Sequence, residues 1–290
     1  MSAAMKQLLD ILDLEKIEDN VFRGRSPQVG WQRVFGGQVV AQAMIAAQRT
    51  VAADRHVHSI HCYFLRPGDP ETPIKYHVDT LRNGMSFTTR RVVASQNEKA
   101  IFSLAGSFQI DESGLEHFMP APLDVPTPDE LSDDLERIQQ IKESLPETLR
   151  KYWGRERPFE LRPVSLKHYI SSEPLPPRQD MWLKATGPVP GDRATQSAVL
   201  GYLSDMTLLD TSLFAHGKSI FDHDLQVASL DHSMWFHRRP NLDDWLLYTQ
   251  DSPNSSGARG LTRGCLYGRD GTLIATVAQE GLIRPRMPKT

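Results

Sequence analysis

The stretch Phe35-Gly36-Gly37-Gln38-Val39-Val40-Ala41-Gln42-Ala43-Met44-Ile45-Ala46-Ala47 decides the fold. It reads as an Ala-rich helix with little charge on any face, and a helix of that kind is one that other structure wraps. The next fifty or so residues can supply the wrapping. Strand-like runs occupy residues 58–65, 74–82, 87–95 and 101–110, separated by Pro67-Gly68-Asp69-Pro70, Asn83-Gly84 and Ser95-Gln96-Asn97-Glu98. Those separators are turn chemistry, so the four runs read as an antiparallel meander able to curl round the helix. Upstream, Met5, Leu8, Leu9 and Leu12 recur at helical spacing and predict a short docking helix over residues 3–15. Gly24-Arg25-Ser26-Pro27 then reads as a turn.

The same order returns in the second half. Beyond Asp111 the chain changes character: Pro120, Pro122, Pro126 and Pro128 precede a charged stretch of helical spacing, residues 129–151, which reads as an interdomain connection. Strand-like runs near 161–170 and 181–185 precede a helix at 194–204, and further runs lie at 227–237, 245–250, 259–267 and 273–283. Thr89-Arg90 and Thr262-Arg263 stand at corresponding places, each followed by a turn and a closing strand, which suggests a divergent internal repeat. The expected division is therefore a first domain over 1–112, a linker with a helical segment over 113–157, and a second domain over 158–290.

Bulk properties narrow the classes of function. At 290 residues the chain suits two domains of modest size or one large one. A net charge of -3 gives no general reason to bind a polyanion, so nucleic acid is not an expected partner. Cys62 and Cys265 lie too far apart for a zinc or redox spacing, which fits a reducing compartment. No basic start followed by an apolar run is present, and no apolar run approaches the roughly 20 residues that cross a bilayer. Met287-Pro288-Lys289-Thr290 is not a Ser-Lys-Leu address, so the cytoplasm is the expected location and membrane insertion is not expected.

The chemistry concentrates in Ser229-Leu230-Asp231-His232-Ser233-Met234-Trp235-Phe236-His237-Arg238, where hydroxyl, carboxylate, imidazole and aromatic groups share one apparent strand. Asp205 closes the second apolar helical pattern, and Gln279 interrupts the last strand-like run. Polar groups in three otherwise apolar elements suggest one convergent cluster, formed by Asp205, Gln279 and a polar group of the stretch from Ser229 to Arg238. Each has a plainer reading by itself. An Asp at a helix end is usually a cap or a solvated carboxylate, a strand Ser is commonly a cross-strand partner, and a buried amide simply needs partners.

Phe35-Gly36-Gly37-Gln38, Tyr202-Leu203-Ser204-Asp205, Leu230 through Arg238, Trp245-Leu246-Leu247-Tyr248, Ser256-Gly257-Ala258-Arg259-Gly260 and Val277-Ala278-Gln279-Glu280-Gly281 occur in order over nearly the whole chain. Together they resemble the acyl-CoA thioesterase II family. The resemblance implies an α+β architecture of two tandem hotdog domains, each an antiparallel sheet around a long central helix, the sheets pairing as a pseudo-dimer. It implies hydrolysis of fatty acyl-CoA by an activated water with no covalent acyl-enzyme and no cofactor or metal, and a homo-oligomer, dimer or tetramer. Its catalytic Asp, Thr or Ser, and Gln fall on Asp205, Ser229 and Gln279. Where some relatives carry Thr, Ser229 keeps the hydroxyl and lacks the methyl that restricts its rotamer.

Thioester hydrolysis needs an attacking water, a group to take its proton, and donors facing the carbonyl oxygen as negative charge builds. Asp205 suits the base; Ser229 and Gln279 suit positioning of the water, and Gln279 could equally donate to the oxyanion. Asp231, His232 and His237 are the rivals. His232 and His237, an odd number apart, do not share a strand face, which argues against a metal pair; His232 reads equally as a substrate neighbour or a core histidine. Trp235 and Phe236 read as packing between the sheet and its helix or a neighbouring subunit. Arg259, Arg263, Arg284 and Arg286 are candidates for the coenzyme phosphates, and Val39, Val40, Met44, Phe64 and Met206 for an acyl channel, although core packing explains the latter equally well.

Other hydrolase and nucleotide signatures are missing. The chain has no Gly-x-Ser-x-Gly elbow, no phosphate-cradling Gly-x-x-x-x-Gly-Lys and no His-Glu-x-x-His. Two alternatives stay open: an enoyl-CoA hydratase on the same fold, using Asp231 and His232, and a non-catalytic acyl-CoA-binding protein.

Overall fold

The computed structural model describes residues 1–27, 32–122, 124–131 and 154–286. Helix α1 (Ala3–Leu12) is followed by β1 (Glu15–Glu18), β2 (Val21–Gly24), α2 (Gly36–Gln48), β3 (His56–Phe64), β4 (Ile74–Asn83), β5 (Phe87–Gln96) and β6 (Lys99–Gln109). The remainder comprises β7 (Phe159–Pro163), α3 (Lys167–Ile170), β8 (Arg178–Ala185), α4 (Arg193–Ser204), a 3-10 turn (Leu208–Asp210), α5 (Thr211–Phe214), β9 (Leu225–Ser229), β10 (Asp231–Phe236), β11 (Leu246–Ser256), β12 (Arg259–Gly268) and β13 (Leu273–Pro285).

The described strands form one antiparallel sheet, ordered β1-β2-β4-β5-β6-β3-β10-β13-β12-β11-β8-β7, with β9 pairing β13 beside that path. Outward from the central β3–β10 pair, the two sides carry corresponding strands in the same order. Alternation fixes which face is buried. In β5, Thr88, Arg90, Val92, Ala94 and Gln96 point inward, and in β12 Gly260, Thr262, Gly264 and Leu266 do so, the period of two expected of a half-buried strand.

Under that face lie α2 and α4. Every residue of α2 from Gly37 to Ala47 is buried, as its uncharged sequence requires. Two glycines let the helices approach: a Cβ on Gly37 would stand 2.5 Å from the Tyr202 carbonyl oxygen, and one on Gly201 would stand 2.8 Å from Met44 Sδ. The start of α2 therefore lies against the end of α4. Ser2 caps α1, its hydroxyl accepting from Met5 N–H at 3.0 Å, and the same serine meets Thr186 through both backbone and side chain. Met5, Leu8 and Leu12 bury the inner face of α1.

Several expectations need correction. The four runs of the first half are not a meander in chain order, because β3 pairs β6 and β10, not β4. Residues 65–73 are a crossing and not a hairpin, held to the end of β5 by Gln96, whose amide donates to the carbonyls of Asp69 and Thr72 and accepts from Asp69 N–H. β1 and β2 had no signal, since β1 is exposed throughout and shows no alternation. The run near 161–170 is a strand followed by the helical turn α3, and the run at 227–237 is two strands broken at Leu230.

Most of the charged stretch at 129–151 lies outside the described residues. Ahead of it, the proline-rich chain covers the second-half sheet: Trp182 Nε1 donates to Pro126 O at 2.8 Å and Arg162 Nη1 to Pro128 O at 2.6 Å. Ala121, Val125 and Leu131 pack there against Trp182, Trp245, Leu247 and Tyr267. No described helix is long and apolar enough to cross a membrane.

Candidate active site

The break at Leu230 builds the site. Leu230 N–H donates to Glu280 O and its carbonyl accepts from Phe64 N–H, so the chain leaves β9 and enters β10 while held to both sides. The Asp231 carboxylate accepts from Glu280 N–H at 2.7 Å, replacing the strand acceptor that the break removes. Ser229 consequently pairs Gly281, and Gln279, two residues back along β13, shares the face of Gly281. That places the Ser229 hydroxyl and the Gln279 amide side by side.

Gln279 Nε2 donates to Ser229 Oγ at 2.6 Å and to Asp205 Oδ1 at 3.1 Å. All three residues predicted from the sequence thus meet through one amide. Asp205 is the C-cap of α4, and its carboxylate faces the start of α2, where Gly37 N–H donates to it. Gly36 matters at the same place, since a Cβ there would lie 2.7 Å from Asp205 Oδ2. The positive end of α2 is thus aimed at a carboxylate from the other half of the chain. Nothing in the sequence reading assigned Gly36 and Gly37 to the site; the signal was a glycine pair opening an apolar helix.

Burial dominates the electrostatics. It raises the Asp205 carboxyl from 3.8 to about 7, while the bonds from Gln279 and Gly37 pull in the opposite direction. Asp210, on the turn after α4, is raised to about 7 by burial and further by the charge of Asp205. Both carboxyls line one cavity of about 1170 Å³, with Ser229, Phe35, Gly36, Val39, Phe64, Tyr202 and Met206 also on its wall. Val40 and Met44, also considered for an acyl channel, belong instead to the core between α2 and α4.

His232 is completely buried, its Nδ1 3.1 Å from Gln279 Oε1 and its Nε2 2.9 Å from Ser204 Oγ. Burial pushes it from 6.5 down to about 4, so the ring is neutral. His237 is exposed and meets Thr276 Oγ1 at 2.9 Å, which places it away from His232. Trp235 packs edge-on to His61 at 5.3 Å, and Phe236 rests on the core. Of the four arginines considered for phosphate, none is on the cavity wall; Arg259 pairs Glu280 and Arg263 pairs Asp251. The arginines that do line it are Arg33, Arg66, Arg155 and Arg157.

Comparison with known proteins identifies the family. A family model described as acyl-CoA thioesterase matches residues 149–282, and one described as acyl-CoA thioesterase N-terminal domain matches 22–109. Acyl-CoA thioesterase 2 of Haemophilus influenzae is 43% identical, covering 98% of this chain and 99% of that protein. Human acyl-coenzyme A thioesterase 8 is 40% identical over 94% of this chain and 88% of its own length. Among solved structures, a tesB protein of Mycobacterium avium superposes with a TM-score of 0.81 at 32% identity, covering 98% of this chain and all of that one. A hot dog fold protein from Alicyclobacillus acidocaldarius reaches a TM-score of 0.78 at 17% identity over 99% and 100% of the two chains, which speaks to the fold alone. With both family models matched in order and relatives this similar along nearly their whole length, the chain belongs to the acyl-CoA thioesterase family.

Proposed function

We propose that this chain hydrolyses acyl-CoA thioesters through Asp205, Ser229 and Gln279, with water as the nucleophile. The observation carrying the reading is the Gln279 amide donating to both Asp205 and Ser229 on the wall of a cavity large enough for an acyl thioester. Asp205 takes a proton from water as its oxygen attacks the thioester carbon, while the Ser229 hydroxyl holds that water in line and Gln279 holds Ser229 and Asp205 in place. The positive end of α2, which lies against the same carboxylate, favours negative charge developing nearby. The C–S bond then breaks. A thiol of ordinary pKa, about 8.5, leaves as thiolate without a strong acid, and the proton on Asp205 returns to it or to solvent. A base poised near 7 matches this role.

The hydratase alternative would need Asp231 and His232 to handle a proton, but the Asp231 carboxylate accepts from Glu280 N–H and both ring nitrogens of His232 have buried partners. The test is to incubate the protein with palmitoyl-CoA and a thiol reagent, and separately with an enoyl-CoA. Release of thiol by the wild type, lost about 100-fold or more in Asp205→Ala and Gln279→Ala, is the expected outcome. Enoyl-CoA hydration without thiol release, or no turnover of either substrate, overturns the reading.

The mirrored strand order around β3 and β10, with one long buried helix on each side, supports two tandem hotdog domains acting as a pseudo-dimer, divided at 1–112, 113–157 and 158–290. Light scattering tests the further association into a homo-oligomer that the family suggests.

A further inference from the structure

We infer that His232 is a positioning residue, held as the tautomer protonated on Nδ1, that fixes which way the Gln279 amide faces. The inference rests on the hydrolytic reading above and concerns the same site. Its basis is the direction in which hydrogen bonds must run through four side chains. An ionised carboxylate only accepts, so Asp205 requires the NH2 end of Gln279, found at 3.1 Å. That leaves Gln279 Oε1 facing His232 Nδ1 at 3.1 Å, and two acceptors cannot share that contact, so Nδ1 carries the proton. Nε2 is then an acceptor, and the Ser204 hydroxyl, 2.9 Å from both Nε2 and the Gly201 carbonyl oxygen, shares its single proton between those two acceptors.

Ser204 directly precedes Asp205, and its backbone carbonyl accepts from the Tyr248 hydroxyl at 2.8 Å. His232 therefore ties the helix end that carries the carboxylate to the strand that carries the amide. Its own backbone is held in turn, its carbonyl accepting from the Cys62 thiol. Without a donor at the Nδ1 position, the buried Gln279 Oε1 is unsatisfied and the amide is free to turn its oxygen onto Asp205 and the attacking water. No contact with substrate is required of the ring, which is completely buried.

The experiment compares His232→Asn, which keeps an amide donor near the Nδ1 position, with His232→Gln, which places its amide nearer Nε2, and His232→Leu, which has neither. With palmitoyl-CoA, kcat should fall roughly 10- to 100-fold in the Gln and Leu variants with KM little changed, and Asn should recover to within about threefold of wild type. Equal losses in Asn and Gln, or losses that follow melting temperature across the three, overturn the inference. Histidine-selective 15N NMR of the wild type at pH 8.5, with His232 assigned by its absence in the Asn variant or by contacts to Cys62 if that variant does not fold, should show a neutral ring protonated on Nδ1; an Nε2-protonated ring overturns it. The spectrum is independent of turnover, so a wild type that failed to release thiol would refute the hydrolytic reading while the tautomer still judged this one.

Discussion

Replacing Asp205 with Asn separates the chemistry of the site from its cost to the fold. Its carboxyl rises from 3.8 to about 7, a change of roughly three units, and at about 1.4 kcal/mol per unit the ionised form is disfavoured by about 4 kcal/mol. The folded state holds this proton more tightly than the unfolded chain does. Stability is therefore unaffected by the group below about pH 4, falls as pH rises from there to about 7, and stays lower by about 4 kcal/mol above it. Asn never ionises, but it must turn its NH2 toward one of the donors Gln279 or Gly37, which costs about 1–2 kcal/mol at every pH. Asp205→Asn should therefore be less stable than wild type near pH 4.5 and more stable, by about 2–3 kcal/mol, near pH 8.5. Urea unfolding of both proteins across that range reads the difference directly. In the same samples, wild-type kcat/KM should climb about tenfold per unit up to pH 7 and level off, and the variant should lose about 100-fold or more. Stability curves that run parallel from pH 4.5 to 8.5 would refute the burial argument, whatever happened to the rate.

Three further outcomes rest on the same geometry. Asp210→Asn removes a neighbouring charge, and because the repulsion between the two carboxylates is mutual, the midpoint of the wild-type pH–rate curve should move to lower pH; an unmoved midpoint would show that the two groups do not titrate together. Ser229→Thr keeps the hydroxyl that Gln279 donates to, so kcat should stay within about threefold, whereas a dead variant would mean that the surroundings of Ser229 do not admit the methyl. Gly37→Ala places a methyl 2.5 Å from the Tyr202 carbonyl oxygen and must push α2 away from the end of α4; we expect a loss of about 1–3 kcal/mol in urea unfolding together with a fall in kcat, and an unaltered rate would mean that the start of α2 does not need its present position.

Much of this protein was legible one element at a time. The uncharged run at 35–47 is a buried helix, the strand-like runs of the first half are strands within a few residues of their expected ends, and the Asn97-Glu98 turn adopts the positive φ angles of a two-residue hairpin. Asp205 and Gln279 stood out as lone polar groups in apolar elements, the family resemblance singled out Ser229, and the fold brings all three together at the Gln279 amide. Less was legible where partners are distant. Asp231 and His232 looked like a chemical pair, yet one holds the Glu280 backbone and the other lies on the opposite strand face against Gln279.

By itself the sequence determined the kind of most elements and offered the candidate polar groups, because periodicity, turn residues and side-chain chemistry act over a few residues. Only the tertiary structure decided that β3 lies beside β6 and β10, that the strand at 227–237 breaks at Leu230, and that the start of α2 faces Asp205 from across the two halves. Those choices depend on which sheet edges pair and how closely two helices pack, and residues far apart in the chain settle them together. Burial at that junction is also what moves the Asp205 carboxyl to about 7, a property that no local stretch of sequence carries.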